Sequence, residues 1–200
     1  MRILVVGASG TIGSEIALAL SASHEVVRAA RKSGDHRVDL ASQASIENLY
    51  AAVGPLDAVV CAAGEGRFRP LNELTDEDFR FSLSSKLVGQ IDLVRVGIPR
   101  LRDRGSFTLT SGVLAREPVQ GGAAISVVNA GVEAFVRAAA LEMPRGLRIN
   151  AVSPPWVSET LRAMGRDPSG GMPAARVAAA YVDSVAGDAN GTVIDARRFT

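Results

Sequence analysis

Cysteine is almost absent from this sequence, and long apolar runs and an excess of charge of either sign are absent as well. The one cysteine, Cys61, cannot form a disulfide within the chain, which fits a reducing compartment such as the cytoplasm. The net charge of +1 gives no basic field for nucleic acid or a membrane surface. The first apolar run ends at Gly7, too soon for a secretory leader, and nothing approaches the ~20 apolar residues of a membrane helix. We therefore expect a cytoplasmic protein with no nucleic-acid or membrane partner.

Histidine is also scarce, with only His24 and His36 in the chain. No group of histidine, cysteine and acidic residues has the spacing of metal ligands, so no metal site is predicted. The hydrophobic fraction of 47% is, by contrast, ample for a large core, and 200 residues suit one domain. We therefore predict a single domain over residues 1–200.

Short β-branched runs alternate with longer segments of helical periodicity. The predicted strands are residues 2–6, 25–30, 57–62, 106–109, 147–152 and 192–195. The predicted helices are residues 11–21, 45–53, 75 to about 101, 123–143 and 174–185. This alternation predicts an α/β, Rossmann-like doubly wound fold with a mostly parallel sheet and helices on both faces.

Residues 38–40 have a strand-like sequence but follow the second strand too closely. A parallel crossover needs roughly a dozen residues, and only a few separate Arg31 from Val38. The segment is either a short edge piece on a loop or the return strand of a hairpin, and we favour the loop.

A glycine-rich turn joins the first strand to the first helix. Gly7 permits a tight turn, Gly10 lets the backbone approach a pyrophosphate, and Gly13 lets the helix pack on the strand. The helix amides would then face the anion. Because strand, turn and helix occur in the right order, the pattern favours nucleotide binding over an ordinary glycine-rich turn.

The end of the second strand indicates which nicotinamide cofactor is bound. An acid there would accept the ribose hydroxyl of NAD, whereas a basic residue accommodates the 2′-phosphate of NADP. Ala30 stands at the acid position, and Arg31 and Lys32 follow it. An arginine binds phosphate with two parallel hydrogen bonds, so we predict NADP(H) as the cofactor.

The glycine spacing resembles that of the short-chain dehydrogenase/reductase family, and further segments agree in order and distance. Asp39 resembles the family's aspartate at the adenine ring, and residues 61–64 match half of its Asn-Asn-Ala-Gly segment. Residues 150–154 resemble the segment before the nicotinamide. The chain thus resembles a compact member of this family. The predicted cofactor-binding residues are Gly7, Ser9, Gly10, Thr11, Ile12, Gly13, Arg31, Lys32, Asp39, Ala62, Ala63, Gly64, Pro154, Ser158 and Thr160.

The resemblance fails at the acid–base pair. Family members that reduce carbonyls use a tyrosine as acid/base and a lysine four residues later. Aligned here, those two positions hold Ile125 and Asn129, and neither Tyr50 nor Tyr181 falls nearby. Asn129 is expected to hydrogen-bond the ribose in place of the family's lysine.

Two further catalytic positions are open to alternatives. Ser111 ends a strand where the family has its catalytic serine, although a shift of one residue would put Gly112 there. Lys86 occupies the position of the family's helical asparagine. It is an electrophile or general acid with a lowered pKa, a snorkelling lysine at a helix edge, or a lysine paired with a carboxylate such as Asp92. The predicted catalytic residues are Ser111, Lys86 and Asn129.

The substrate side of the site is shorter than in the family. Pro154 and Pro155 replace a Pro-Gly pair and stiffen the backbone, while residues 161–173 form only a brief lid. Trp156 and Met164 are candidates for lining a small apolar pocket, although we favour a place in the core for Trp156.

The resemblance therefore implies an NADP(H)-dependent oxidoreductase of a small carbonyl or alcohol, with unusual proton-transfer groups. The alternative is a non-catalytic NADP-binding sensor or regulatory protein. The family's long helices pair across a two-fold axis, which implies a homodimer or a homotetramer.

Overall fold

The computed structural model describes residues 1–199 and has an α/β architecture. Its strands are β1 (Arg2–Val6), β2 (Glu25–Ala30), β3 (His36–Arg37), β4 (Leu56–Cys61), β5 (Leu101–Thr110), β6 (Arg148–Ser153) and β7 (Val193–Asp195). Its α-helices are α1 (Thr11–Ser21), α2 (Gln43–Val53), α3 (Asp76–Ser82), α4 (Gly89–Gly97), α5 (Ala123–Ala139), α6 (Ser158–Ala163) and α7 (Ala174–Ala186). The predicted alternation of strands and helices is confirmed.

The seven strands form one parallel sheet in the order β3-β2-β1-β4-β5-β6-β7. This order reverses direction between β1 and β4, so the loops after these strands diverge to opposite sides. Open α/β sheets bind ligands in that crevice, at the carboxyl ends of the strands. The topology therefore brings the glycine turn after β1 next to the segment after β4.

Helices cover both faces of the sheet and enclose two apolar clusters. Helices α2, α4 and α5 bury one face, with Tyr50 at its centre and its hydroxyl donating to the carbonyl of Leu93 at 2.7 Å. Gly97 on α4 makes room for this ring, because a Cβ there would lie 2.3 Å from the phenol oxygen. Helices α1 and α7 bury the other face around Tyr181. Two well-packed layers hold the carboxyl edge of the sheet in place.

The structure bears out the loop favoured for residues 38–40 and places a short strand directly before it. The short strand is β3 (His36–Arg37), and it pairs in parallel with β2, through Ala29 with His36 and Ala30 with Arg37. Because β3 pairs with β2 over only two residues, a tight loop is enough to connect them and no crossover helix is needed. Gly34, whose φ is +102°, allows this tight loop. The hairpin alternative is wrong, and residues 38–40 follow this edge strand as a loop.

The long helix expected from residue 75 to about 101 is present, and its helix type changes along its length. A capping box at Thr75 and Asp78 begins α3 as predicted, but a π-helical segment, Leu83–Val88, separates α3 from α4. The helix then tightens into a 3₁₀ turn that includes Pro99, and β5 already begins at Leu101.

Two further boundaries differ from the sequence prediction. Helix α5 ends at Ala139 instead of residue 143, because Pro144 forces an extended backbone on the residue before it. Part of the expected lid is the short helix α6, which has too few turns to give a readable periodicity.

Candidate active site

The glycine turn after β1 is held by close backbone packing. Gly7 has a φ of +85°, and a Cβ on it would lie 2.8 Å from the backbone of Ala62. A Cβ on Gly13 would lie 2.0 Å from the carbonyl oxygen of Gly7. Larger residues would push α1 away from β1 and β4. The predicted roles of Gly7 in the turn and of Gly13 in helix packing fit this geometry.

A first pocket opens on one side of this turn, between the ends of β2 and β4. Its polar and charged lining residues are Arg31, Asp39, Glu65 and Ser85. The predicted cofactor residues Gly7, Ala63 and Gly64 also line it. The sequence-predicted residues from the ends of three strands therefore meet in one pocket, as a bound nucleotide requires.

The charged groups of the first pocket are arranged around an ion pair. The guanidinium of Arg31 donates to the carboxylate of Glu65 at 2.9 Å, and both side chains are more than half exposed. Asp39 accepts a hydrogen bond from the backbone of Ala41, which orients its carboxylate. Lys32 is exposed on the turn beside Arg31. The sequence analysis missed Glu65, which no motif singled out.

A second pocket lies on the other side of the glycine turn, between β5, β6 and α5. Its lining is mostly apolar and is supplied by Ile12, Lys86, Thr110, Ser111, Gly112, Val113, Leu114, Asn129, Pro154, Pro155, Trp156, Val157 and Thr160. The three predicted catalytic residues are thus brought together. Of the predicted cofactor residues, Ser9, Gly10 and Thr11 are exposed on the turn itself, and Ser158 lies behind the pocket against Met172.

Lys86 reaches this pocket from the π-helical segment. Its ammonium donates to the carbonyl oxygen of Ser111 at 3.2 Å. The fully buried Gln90 fixes the segment, because its amide donates both to the carbonyl of Lys86 and to that of Thr110, each at 3.0 Å. Wider π turns are frequent at functional sites. The alternative pairing of Lys86 with Asp92 is wrong, because Asp92 pairs with Arg95.

The position of Lys86 changes its acidity. Burial lowers the pKa of Lys86 from 10.5 to about 8, and the nearby Cys61 opposes this shift. Burial likewise raises the pKa of the Cys61 thiol to about 12, so this cysteine is not a thiolate at neutral pH. The ammonium of Lys86 therefore gives up its proton close to neutral pH, whereas the thiol does not.

Asn129 faces the same pocket with an unused hydrogen-bonding atom. Its amide nitrogen donates weakly to the carbonyl of Gly112 at 3.4 Å. Its side-chain oxygen is buried and has no hydrogen-bond partner among residues 1–199. An unpaired buried acceptor is costly, so this oxygen suits a ligand hydroxyl.

Ser111 directs its hydroxyl away from the second pocket. The hydroxyl donates to the carboxylate of Glu133 on α5 at 2.9 Å, and both residues are buried. Glu133 also lies 3.7 Å from Arg116 and 3.8 Å from Arg137. Gly112 lies next to Asn129: a Cβ added to Gly112 would be 2.8 Å from the side-chain nitrogen of Asn129. Ser111 therefore contributes its carbonyl oxygen to the site, and its hydroxyl anchors a buried carboxylate.

Both tyrosines lie in the cores and not in the pockets. Tyr50 belongs to the cluster under α2, and Tyr181 shares a 2.6 Å hydrogen bond with Thr110 beneath α7. Burial raises the pKa of both phenols above the usual value. Ile125 packs against Gly66, where an added Cβ would approach it to 2.9 Å.

Aromatic and basic side chains border the second pocket. Trp156 lines it, and Phe68 packs against the indole edge-on with 6.2 Å between the ring centroids. The guanidinium of Arg166 lies 5.1 Å over the same indole. The sequence alternative that buried Trp156 in the core is therefore wrong. Met164 is exposed at the end of α6.

Residues 1–199 contain neither a cluster of metal ligands nor a helix suited to cross a membrane. In this part of the chain, no three histidine, cysteine, aspartate or glutamate side chains are grouped so that they could hold a metal ion. Within the same residues, none of the helices combines the length and the apolar character needed to cross a membrane.

Comparison with known proteins agrees with this fold. The family model described as enoyl-(acyl carrier protein) reductase matches residues 10–186. Hydroxynaphthalene reductase arp2 from Aspergillus fumigatus is 30% identical over 79% of this chain and 67% of its own length. The chain spans about half to two thirds of the length of the curated relatives first matched.

Solved structures match over nearly the whole chain. The protein lin1944 from Listeria innocua is 45% identical, with a TM-score of 0.94 over 98% of both chains. A small-chain dehydrogenase in complex with NADPH is 25% identical, with a TM-score of 0.86 over 98% of this chain and 95% of its own. With a family match across most of its length, the chain belongs to the short-chain dehydrogenase/reductase family.

Proposed function

We propose that this protein is an NADP(H)-dependent oxidoreductase of a small carbonyl or alcohol, in which Lys86 replaces the family's tyrosine as proton donor. The observation that carries the proposal is the second pocket, whose lining includes both Lys86 and Asn129, the latter with an unpaired side-chain oxygen. We further infer a single nucleotide-binding domain over residues 1–200, in which residues 161–173 cover the substrate side, and a homodimer or homotetramer.

The residues present fit the cofactor. The glycine turn has no room for a Cβ at Gly7 or Gly13, so its backbone keeps the tight strand–turn–helix geometry in which Gly10 would approach a pyrophosphate. Arg31 lines the first pocket and offers a guanidinium to a 2′-phosphate. The oxygen of Asn129 would accept a hydrogen bond from a ribose hydroxyl. When bound, NADPH supplies the hydride.

The proton would come from Lys86. Its ammonium is held at the pocket wall by the carbonyl of Ser111, and a pKa of about 8 leaves it mostly protonated at neutral pH. A group with a pKa near the operating pH is an efficient general acid. After donating to the carbonyl oxygen of the substrate, the amine regains a proton from solvent. The apolar lining around Trp156 favours small apolar substrates.

Cofactor preference tests the first half of the proposal. Arg31→Ala removes the guanidinium that would bind the 2′-phosphate, and a charge-assisted pair contributes about 1.5–3 kcal/mol. We therefore expect NADPH to bind roughly ten- to a hundred-fold more weakly to the variant, while NADH affinity changes little. Calorimetric titration of both cofactors measures this. Equal affinities for NADPH and NADH in the unmodified protein would contradict the NADP assignment.

Turnover tests the second half. General acid catalysis contributes about 10²–10⁴-fold, so a lysine acid should support slow NADPH oxidation with quinones or α-diketones. Lys86→Met should lower this rate, whereas Arg80→Met, which removes an exposed cation from α3, should not. Tight NADPH binding without turnover on any carbonyl or alcohol would instead support an NADP-binding sensor. Unchanged turnover in Lys86→Met would remove this lysine from the mechanism.

A further inference from the structure

The charged side chains that line the first pocket include more carboxylates than cations, which disfavours binding of a 2′-phosphate. Its charged lining residues are one cation, Arg31, and two carboxylates, Asp39 and Glu65. A 2′-phosphate would add at least one more negative charge to this pocket. The guanidinium that would bind the phosphate is already paired with Glu65 at 2.9 Å.

Backbone geometry fixes Glu65 in this position. Gly64 has a φ of +118°, which turns the chain sharply after β4, and a Cβ there would lie 2.9 Å from the Cα of Lys86. The backbone amide of Glu65 then donates to the hydroxyl of Ser85 at 3.1 Å. The backbone of Glu65 is therefore held by the same segment that carries Lys86, and its exposed carboxylate pairs with Arg31 at the end of β2.

We propose that Glu65 is a specificity-determining residue that competes with the 2′-phosphate for Arg31 and so limits the preference for NADPH over NADH. This inference rests on the proposed function, since it concerns the same cofactor. The Arg31–Glu65 pair must separate before the guanidinium can bind a phosphate. Both side chains are exposed, so the pair is weak enough to open. NADH has no 2′-phosphate and can bind while the pair stays closed.

The test compares Glu65→Gln with a matched control. Glu25→Gln breaks a similar exposed pair, Arg2–Glu25 at 2.7 Å, at the opposite end of β2. NADPH and NADH affinities are measured by calorimetry for each protein, and thermal unfolding confirms that each is folded. We expect Glu65→Gln to bind NADPH about five-fold more tightly, which corresponds to ~1 kcal/mol. Its NADH affinity should not rise, and Glu25→Gln should match the unmodified protein.

Further outcomes separate this inference from the proposed function. In an Arg31→Ala background, Glu65→Gln should improve NADPH binding less than it does alone, because the competition has been removed. If NADPH binds but Glu65→Gln leaves its affinity unchanged, or raises NADH affinity equally, the inference is overturned and the proposed function stands. If neither the unmodified protein nor Glu65→Gln binds NADPH at millimolar concentration, both the inference and the proposed function are overturned.

Discussion

Replacing Lys86 by methionine should change the pH dependence of stability in a defined direction. A charged lysine whose pKa is lowered by burial costs folding free energy, because the unfolded chain binds its proton more tightly. The change from 10.5 to about 8 corresponds to roughly 3 kcal/mol at neutral pH. Below pH 8 the full cost is present, and it is relieved as the pH rises from about 8 to 10.5. Lys86→Met removes the titration altogether.

The difference in unfolding free energy between the two proteins isolates this effect. Between pH 7 and pH 9 the unmodified protein should gain about 1.4 kcal/mol relative to Lys86→Met. Lys86→Met also loses the hydrogen bond to the carbonyl of Ser111. At pH 7 its unfolding free energy therefore exceeds that of the unmodified protein by less than the full cost of the buried charge. Other groups titrate in both proteins, and their contributions largely cancel in the difference.

Urea unfolding at pH 7, 8 and 9, at one protein concentration, measures the difference. The sequence has one other lysine, Lys32, which is exposed, and Lys32→Met should follow the unmodified protein at every pH. NMR of ¹³C-methylated lysines then gives the pKa of each amine directly. Parallel stability curves for the unmodified protein and Lys86→Met, or a Lys86 amine that titrates near 10.5, would refute the reasoning.

Three other predictions follow from the geometry. Gly13→Ala should lower the unfolding free energy by about 1–3 kcal/mol or prevent folding, because its Cβ would meet the carbonyl of Gly7. Gly170→Ala places its Cβ in open space and should have no such effect, and thermal unfolding compares the two variants. The double change Ile125→Tyr with Asn129→Lys should raise NADPH oxidation of carbonyls above that of Asn129→Lys alone, and an equal rate would contradict this. Light scattering should give a dimer or tetramer of the 20.8 kDa chain, and a monomer at micromolar concentration would contradict the assembly.

Local patterns in the sequence were sufficient for the fold. Short β-branched runs and period-3.6 hydrophobicity predicted most strands and helices, and the glycine spacing after β1 predicted the turn between the two pockets. These features depend on neighbours within a few residues, so one sequence is enough to read them. The boundaries near Pro144 and the parallel pairing of His36–Arg37 depended on turns that propensity alone does not specify.

The site was only partly readable for the same reason. Lys86, Ser111 and Asn129 were predicted to meet, and they do line one pocket. The direction of each side chain was not predictable, because it depends on groups distant in the chain. The hydroxyl of Ser111 turns to Glu133, 22 residues away.

The sequence by itself determined the layered fold and the glycine turn between β1 and α1. Tertiary structure alone decided that Gln90 fixes a π-helical segment, that this segment places the Lys86 ammonium at the carbonyl of Ser111, and that Glu65 reaches Arg31 across 34 residues. The physical reason is that burial and ion pairing depend on distances in space. A pattern of residues along the chain does not contain those distances until the strands have paired.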